Sequence, residues 1–280
     1  YVPLHEYTTL QTGGVARYFV EVQTLNELYE ALEFAKERQL PWCVLGGGSN
    51  MLVADVGFVG VMIVMKYDDV SVEELDEQVN VTVGAGKNLD ECIAASVAHG
   101  WWGLENLSHI PGSVGATPVQ NVGAYGVEVS DLITNVEVLD VTTGEVTSLT
   151  NADCRFSYRH SCFKEEAGRY VVWSVTFALS KKPRPTLHYK DLKHQFGDGT
   201  PDQQAIRDAV IAIRAKKFPD WRTVGTAGSF FKNPIISKEE FEELLKTYPE
   251  LPGHTSENGE MVKVPLGWIL DKVLDLKGVR

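Results

Sequence analysis

The sequence predicts a fold of the α+β class, in which alternating strands and helices give way to a mainly helical C-terminal segment. Strand and helix signals alternate through the first half of the 280-residue chain. A stretch rich in glycine and proline, residues 103–126, interrupts that alternation. Beyond Pro219, residues 220–280 carry few strand signals. With 44% hydrophobic residues, a chain of this length can form two or three packed units, each with its own core.

Helix caps and runs of β-branched residues predict the helices and strands of the first half. Thr24 and Glu27 have the spacing of a capping box, and apolar residues at helical spacing follow them. Residues 88–99 form a second predicted helix, which Gly100 ends. Four predicted strands accompany these helices, at 18–22, 41–45, 59–65 and 79–83.

The second half combines a hairpin, one further strand and three helices. The predicted strands are 133–141, 145–149 and 170–179, and the predicted helices are 202–217, 237–248 and 266–274. The Pro- and Lys-rich break at 181–185 is a candidate linker. Arg214, Lys216 and Lys217 lie in the last turn of one helix, where they suit the helix dipole and could equally collect a phosphate.

The net charge and the cysteine pattern indicate which classes of ligand the chain is expected to bind. The net charge is −12, from 26 basic and 38 acidic residues, so the chain is expected to bind neither nucleic acid nor anionic membranes. Basic residues cluster locally at 155–164 and 214–232, which suits a small anionic ligand. No apolar run approaches the roughly 20 residues of a membrane span, and no secretory signal is recognisable. Four cysteines without paired or metal-ligand spacing indicate reduced, mostly buried thiols in a cytoplasmic protein without a metal; a catalytic thiol is the alternative.

The turn Gly46-Gly47-Gly48-Ser49-Asn50 follows a predicted strand. Successive glycines allow backbone N–H groups to approach a pyrophosphate closely, and the serine and asparagine add side-chain donors. No acidic residue follows a second strand at the right distance, so this is not the GxGxxG dinucleotide fingerprint. A plain turn is the alternative.

Residues 110–126 carry a more specific signal. Their glycines let a flat ring lie against the backbone, and Gln120 and Asn121 offer amides to ring heteroatoms. So many breakers prevent regular elements, yet apolar residues run throughout. Because a buried loop must satisfy its backbone polar groups, a bound cofactor is one way to do so.

Three single side chains are candidates for chemistry. Ser229 lies in the segment 226–234, where flanking glycines permit a tight path that lets its hydroxyl face a pocket and donate a proton. Arg159 has the chemistry to pair with a carboxylate or to stabilise a developing enolate. Tyr189 lies in a polar loop that could close over a ligand phosphate. A polar turn, a surface charge and a surface turn are the respective alternatives.

Together these segments closely resemble the family of UDP-N-acetylenolpyruvoylglucosamine reductase, also called UDP-N-acetylmuramate dehydrogenase, in the family's order and over essentially the whole chain. The two most specific segments are GLENLSHIPGSVGATPVQNVGAYGVE at 103–128 and AGSFFKNP at 227–234. The others are GGGSN at 46–50, VGAG at 83–86, CRFSYRHSCFK at 154–164, HYKDL at 188–192, RAKKFPD at 214–220 and GWILDKVLDLKG at 267–278. HYKDL is similar to the type I subgroup, in which a tyrosine loop closes over the substrate.

The resemblance implies a two-part FAD-binding region of the vanillyl-alcohol-oxidase type followed by an α+β substrate-binding domain. The corresponding FAD-binding subdomains are 1–66 and 67–218, and the substrate-binding domain is 219–280. FAD would be bound without a covalent link, and NADPH would be the co-substrate of a monomeric cytoplasmic enzyme. The reaction implied is reduction of UDP-N-acetylglucosamine enolpyruvate to UDP-N-acetylmuramate in bacterial peptidoglycan precursor synthesis. NADPH reduces the flavin, the UDP-sugar replaces NADP and receives hydride at its vinyl carbon, and the resulting enolate is protonated.

Residue roles follow the same resemblance, position by position. Ser229 is the implied proton donor, and Arg159 helps to stabilise the enolate. Tyr189, Lys217 and Asn233 would hold the diphosphate and the rest of the UDP-sugar. The residues implied to hold FAD are Gly46, Gly47, Gly48, Ser49, Asn50, Gly112, Ser113, Gly115, Gln120, Asn121, Gly123, Ala124 and Tyr125.

The sequence departs from the family at its C-terminal end. The family's second acid, a glutamate near the C-terminus, has no counterpart here, because Glu257 and Glu260 lie too early. The substrate-binding domain is therefore expected to be truncated. Two other functions stay open: a fragment that binds FAD and the UDP-sugar without full turnover, and another flavin oxidoreductase of the same fold. In the latter, His109 is the nearest candidate for a covalent FAD anchor.

Overall fold

In the computed structural model, residues 1–256 and 258–278 are described, and Glu257 lies outside them. The chain forms two compact units, Tyr1–Ala227 and Gly228–Arg280. Among the described residues, no helix has the length and apolar character needed to cross a membrane. The break at 181–185, proposed from sequence as a linker, lies inside the first unit.

Helices separate groups of consecutive strands in the first unit, and the second unit adds short strands and helices. The strands are β1 (Val2–Pro3), β2 (Val15–Val22), β3 (Trp42–Leu45), β4 (Phe58–Met65), β5 (Val70–Glu74), β6 (Gln78–Gly84), β7 (Gly123–Ala124), β8 (Val127–Glu128), β9 (Ile133–Asp140), β10 (Glu145–Thr150), β11 (Tyr170–Ser180), β12 (Ile235–Ser237), β13 (His254–Thr255) and β14 (Met261–Lys263). The helices are α1 (Leu25–Glu37), α2 (Leu89–Ala98), α3 (Cys162–Glu165), α4 (Lys190–Phe196), α5 (Gln203–Lys217), α6 (Lys238–Thr247) and α7 (Leu266–Trp268), the last continued by a π-helical turn, Ile269–Val273.

The first sheet has the order β1-β2-β4-β3. β4 pairs in parallel with both β2 and β3, and α1 provides the crossover between those two strands. The capping box predicted at Thr24 is confirmed: its side chain accepts from Glu27 N, and the Glu27 carboxylate accepts from Thr24 N. This arrangement brings the end of β3 to an edge of the sheet, where the chain enters 46–50.

The second sheet has the order β10-β9-β11-β6-β5 and is antiparallel throughout. The hairpin predicted from sequence is confirmed as β9 and β10, with Glu145 opposite Asp140. Side chains from both sheets and from α1 and α2 share one buried cluster, in which Val22, Leu28 and Val138 are fully buried. The two halves of the first unit are therefore packed on a common core.

Residues 103–126 contain no long helix or strand, as their breakers predict. The structure gives them two short 3-10 turns, Glu105–Leu107 and Val114–Ala116, and the two-residue strand β7. His109, Asn121 and Tyr125 have positive φ angles of 60°, 45° and 49°. A left-handed backbone is uncommon for residues with a Cβ, so their conformation is imposed by surrounding contacts.

Two regions differ from the sequence prediction. Tyr189, expected in a mobile polar loop, is instead the N-cap residue of α4, a helix that the preceding prolines concealed. The second unit also contains a three-stranded sheet, in the order β12-β14-β13. Its strands are only two or three residues long, too short for a periodic pattern. Leu251, Val262 and Val264 form the small buried core of this unit.

Candidate active site

Two segments carry most of the residues assigned to a cofactor: the glycine turn, residues 46–50, and the long loop, residues 110–126. The glycine turn leaves the end of β3, and the long loop runs between α2 and β9. The two segments lie against each other, since a Cβ on Gly47 would stand only 2.6 Å from the Gly112 Cα atom. The close approach requires glycine at position 47.

Two further contacts join the glycine turn to the long loop. The Ser49 hydroxyl donates to the carbonyl of Pro111 at 2.9 Å. A Cβ on Gly46 would lie 2.7 Å from the Ser113 Oγ atom. These residues, predicted to hold one ligand, are brought together by their own hydrogen bonds and packing.

Gly48 fixes the path of the glycine turn. Its φ angle is +61°, and a Cβ here would lie 1.8 Å from the carbonyl oxygen of Tyr7. Its own carbonyl accepts from Thr9 N at 3.2 Å. Thr9 in turn bonds twice to Thr226, accepting from its N–H at 2.8 Å and donating to its carbonyl at 3.1 Å. The glycine turn is thereby tied to the chain three residues before Ser229.

The donor chemistry of the glycine turn fits a pyrophosphate. In the part of the chain that the structure describes, no protein group accepts a hydrogen bond from the N–H groups of residues 47–50. Gly47 and Asn50 are exposed and Ser49 is half-buried, so the N–H groups of Gly47 and Asn50 are the ones open to a ligand, whereas Gly48 is buried. Successive backbone N–H groups in a tight turn form the concave donor set that binds phosphate oxygens.

The long loop is anchored to the second sheet through the turn that follows β6. Gly115 N donates to the carbonyl of Ala85 at 3.0 Å, and Val114 N donates to that of Lys87 at 2.8 Å. A Cβ on Gly115 would lie 2.5 Å from the Ala85 Cβ. Gly115 therefore serves backbone packing, and the long loop makes contacts with both halves of the first unit.

The neighbouring amides Gln120 and Asn121 have different environments. Asn121 is buried, and its Nδ2 donates to the Glu128 carboxylate at 2.8 Å and to the Ser157 carbonyl at 3.3 Å. Its Oδ1 accepts from Ser130 N at 3.1 Å. The protein itself uses this side chain, which corrects the assignment of the Asn121 amide to ring heteroatoms. Gln120 is half-buried and keeps that role as a prediction.

Arg159 lies directly on the long loop. Its guanidinium donates to the carbonyl of Asn121 at 3.1 Å and to that of Gly123 at 2.7 Å. The side chain is half-buried, and its backbone is left-handed with φ +56°. A reverse turn between Ser157 and His160 presents it. The carbonyl acceptors orient the cation without neutralising its charge, as a group that stabilises an anion requires.

A second cationic group lies among aromatic rings. Lys217 Nζ is 5.8 Å from the ring centroid of Tyr125 and 6.0 Å from that of Tyr189. The two rings meet edge to face with centroids 5.2 Å apart. Lys217 also pairs with Asp191 at 2.6 Å. Partial burial opposes the charged form, but the hydrogen bond to Asp191 prevails and raises the pKa of Lys217, so this group stays cationic.

Ser229 and Asn233 belong to the second unit. Ser229 is exposed and follows Gly228, which has a φ angle of +59°. The rings of Phe230 and Phe231 are each 62% exposed. Asn233 Oδ1 accepts from Leu266 N at 3.0 Å and so holds the start of α7. Because its Oδ1 is used in this way, Asn233 is predicted to bind the substrate through its Nδ2 amide hydrogens.

A set of contacts that no sequence pattern predicts holds the entrance of the long loop. Asp90 on α2 accepts from His109 N at 2.6 Å and pairs with both terminal nitrogens of Arg207, at 2.7 and 2.9 Å. Arg214 Nε donates to the His109 carbonyl at 3.0 Å. Although partial burial opposes it, the Arg207 hydrogen bonds and the His109 N–H hold the pKa of Asp90 below its usual range. No local pattern reveals these pairs, since 117 residues separate Asp90 from Arg207.

Known proteins match this chain over most of its length. The FAD binding domain family matches residues 16–150. UDP-N-acetylenolpyruvoylglucosamine reductase from Bdellovibrio bacteriovorus is 41% identical over 272 residues, which are 96% of this chain and 80% of the relative. The protein of the same name from Ralstonia nicotianae is 41% identical over 278 residues, 96% of this chain and 81% of the relative.

A solved structure matches the fold as well. UDP-N-acetylenolpyruvylglucosamine reductase from Thermus caldophilus has a TM-score of 0.62 and 26% identity, with all of this chain and 94% of that chain covered. The match extends over both compact units of the present chain.

Proposed function

The chain belongs to the UDP-N-acetylenolpyruvoylglucosamine reductase family, and we propose that it reduces the enolpyruvyl group of UDP-N-acetylglucosamine enolpyruvate to give UDP-N-acetylmuramate. The observation that carries the proposal is the placement of Arg159, whose guanidinium is bonded to two carbonyls of the long loop. A fixed cation is thereby held at the loop that supplies most of the cofactor-binding residues.

The glycine turn and the long loop hold FAD in this proposal. The open N–H groups of the glycine turn bind its pyrophosphate, and the backbone of Gly123 and Ala124 lines the flavin together with the Gln120 amide. FAD, when bound, supplies the acceptor and donor of hydride, with NADPH as the reductant. Residues 1–66 and 67–218 form the two FAD-binding subdomains, and residues 219–280 form the substrate-binding domain.

Arg159 and Ser229 divide the work on the enolpyruvyl group. Hydride adds to the terminal vinyl carbon, the π bond breaks, and negative charge develops toward the carboxylate as an enolate. Arg159 stabilises that charge through its guanidinium. The Ser229 hydroxyl then gives its proton to the other vinyl carbon, so one hydride and one proton are added across the double bond. A serine is a weak acid, so the basicity of the enolate drives this transfer.

Tyr189, Lys217 and Asn233 bind the UDP portion. Lys217 stays charged because Asp191 and two aromatic rings surround it, and it neutralises the diphosphate as a point charge. Tyr189 is 40% exposed, so its hydroxyl can reach a ligand without unfolding α4. Asn233 contributes its amide hydrogens. Such contacts bind the substrate far from the reacting carbon and orient it for hydride transfer.

The setting proposed for this activity is the cytoplasm, with the enzyme acting as a monomer that supplies cell-wall precursor for cell shape and division. All four cysteines are free thiols, and three are buried, which suits a reducing compartment. A net charge of −12 favours small anionic ligands bound at local cationic positions over polyanions.

NADPH consumption by the purified, FAD-loaded chain tests the proposal. Oxidation of NADPH should depend on the enolpyruvyl UDP-sugar, and mass spectrometry should find a product heavier than that sugar by two hydrogens. NADPH oxidation that ignores the sugar and needs only oxygen would contradict the proposal and point to another flavin oxidoreductase. Bound FAD without any turnover would leave a binding fragment as the function.

A further inference from the structure

Asn106 is a buried side chain that the proposed chemistry does not use. It lies in the 3-10 turn Glu105–Leu107 and has no exposed surface. Its Nδ2 donates to the carbonyl of Tyr125 and to the carbonyl of Thr186, both at 2.8 Å. Because both partners are carbonyl oxygens, the amide has one possible orientation.

The two carbonyls belong to segments with different roles. Tyr125 is in the long loop, and Thr186 precedes Tyr189 by three residues. The segments run close together, since a Cβ on Gly126 would lie 2.6 Å from His188 Nε2. Asn106 thus fixes the start of the Tyr189 segment, residues 186–192, to the long loop.

The Asn106 amide is satisfied at its nitrogen but not at its oxygen. Its Oδ1 is buried and has no partner among the described residues. An unpaired buried acceptor is unfavourable, whereas the two Nδ2 hydrogen bonds satisfy carbonyls that an apolar side chain of similar shape would leave unpaired. A buried amide that bridges two loops at this cost has the character of a site that fixes geometry.

The turn that carries Asn106 is itself held by α5. Glu105 Oε2 accepts from Gly103 N at 2.8 Å and from Gln203 Nε2 at 3.3 Å, and Gln203 also donates to the Trp101 carbonyl at 2.7 Å. Lys217 ends the same helix. The cation proposed to bind the diphosphate therefore lies on the helix that holds the turn of Asn106.

We propose that Asn106 is a positioning residue for the diphosphate site, holding Tyr189 opposite Lys217 by tying residue 186 to the long loop. The inference rests on the proposed function, because it assigns the UDP-sugar diphosphate to that site. Without the bridge, the Tyr189 segment pivots away from the Tyr125 ring and the diphosphate loses one of its contacts.

A matched pair of variants, Asn106→Leu and Asn151→Leu, tests the inference. Asn151 Nδ2 also bridges two carbonyls, those of Ser130 and Ile133, both at 2.8 Å, but neither lies in the Tyr189 segment. We expect Asn106→Leu to raise the Kd for the enolpyruvyl UDP-sugar about tenfold or more, and Asn151→Leu to change it less than about twofold. One lost hydrogen-bonded positioning contact of about 1.4 kcal/mol corresponds to a factor of ten.

Hydrogen–deuterium exchange separates this inference from the proposed function. Amides 193 and 197, which donate to the carbonyls of Tyr189 and Lys193, should exchange faster in Asn106→Leu and at an unchanged rate in Asn151→Leu, whether or not a UDP-sugar is bound. Unchanged exchange in Asn106→Leu, or faster exchange with an unchanged Kd, would overturn the inference. A wild-type chain that does not bind the UDP-sugar would overturn the proposed function instead, and the exchange measurement would still decide whether Asn106 is the anchor.

Asn106→Ser keeps the test decisive where the leucine variant does not fold. Serine retains one donor, so it reaches one of the two carbonyls at most. It should show the same faster exchange of amides 193 and 197 with a smaller rise in Kd. A serine variant that matches the wild type in both measurements would overturn the inference.

Discussion

The cofactor loops and the Ser229 segment both combine glycine with small polar residues, yet the structure treats them differently. In the glycine turn, a Cβ added at Gly47 or Gly48 would lie less than 3 Å from backbone atoms of a neighbouring segment. At Gly228 a Cβ would meet nothing within 4 Å, and Ser229 beside it is exposed.

A residue type can therefore be required at a position for one of two reasons, the fold or the reaction. Gly47 and Gly48 are required by the fold, because a Cβ at either position would meet neighbouring backbone. Ser229 is not held in place by packing, so its hydroxyl is required only by the chemistry proposed for it. Substitutions in the first region should therefore remove the cofactor site, and substitutions in the second should remove turnover alone.

The largest effect is expected from Gly48→Ala. Its Cβ would lie 1.8 Å from the Tyr7 carbonyl oxygen at a φ of +61°, so the glycine turn must move away from its place beside the long loop. We expect loss of bound FAD and destabilisation beyond about 1 kcal/mol, measured by flavin absorbance and urea unfolding. Gly144→Ala is the control, since its φ is +75° but a Cβ there meets nothing. FAD retention equal to that of the control would contradict the claim that the cofactor site requires glycine at position 48.

Ser229→Ala should have the next largest effect. We expect turnover to fall by about 10²–10⁴-fold, the range for loss of a general acid. The free energy of unfolding should change by less than about 0.5 kcal/mol, because the side chain is exposed. Flavin reduction by NADPH, followed by stopped-flow absorbance, should be unchanged. Ser71→Ala, at an exposed position of β5, should match the wild type throughout.

Asn121→Ala and Gln120→Ala test whether neighbouring amides of the long loop serve stability and cofactor binding separately. Asn121→Ala leaves Glu128, Ser130 and the Ser157 carbonyl without the bonds that its amide makes, so it should destabilise the protein by about 1–3 kcal/mol. Gln120→Ala should leave stability nearly unchanged and weaken FAD binding. Thermal unfolding with and without added FAD distinguishes these outcomes. Equal effects from both variants would contradict the separation of a structural amide from a binding one.

The smallest effect concerns pH. Asp90 has a folded-state pKa below its unfolded value of about 3.9, so its pair with Arg207 stabilises the protein above that value and is lost as pH falls through the folded pKa. Asp90→Asn should cost about 0.5–1.5 kcal/mol at neutral pH, and the difference from wild type should shrink below about pH 4. Urea unfolding across this range measures it. A difference that grows on acidification would contradict the sign.

The fold was predictable where the signal is local. The capping box at Thr24, the hairpin of β9 and β10, and α5 all follow from residues within one element. α4 was missed because Pro183 and Pro185 precede it closely, and the strands of the second unit were missed because they are too short for a periodic pattern.

The site was predictable in its glycines and less so in its side chains. Gly47 and Gly48 stand out in the sequence, and only glycine permits their close contact with neighbouring backbone. The inward direction of the Asn121 amide and the bridge made by Asn106 depend on partners that are distant in the sequence. Thr186 lies 80 residues after Asn106, and no single-sequence pattern links them.

The visible absorption spectrum of the purified chain, before and after addition of the enolpyruvyl UDP-sugar, tests the central claim most directly. We expect a protein-bound flavin spectrum that the sugar perturbs, because the cofactor loops and the diphosphate site form in this chain. A colourless protein that cannot be reconstituted with FAD would contradict the assignment of the glycine turn and the long loop. A bound flavin that the sugar leaves unchanged would contradict the substrate assignment.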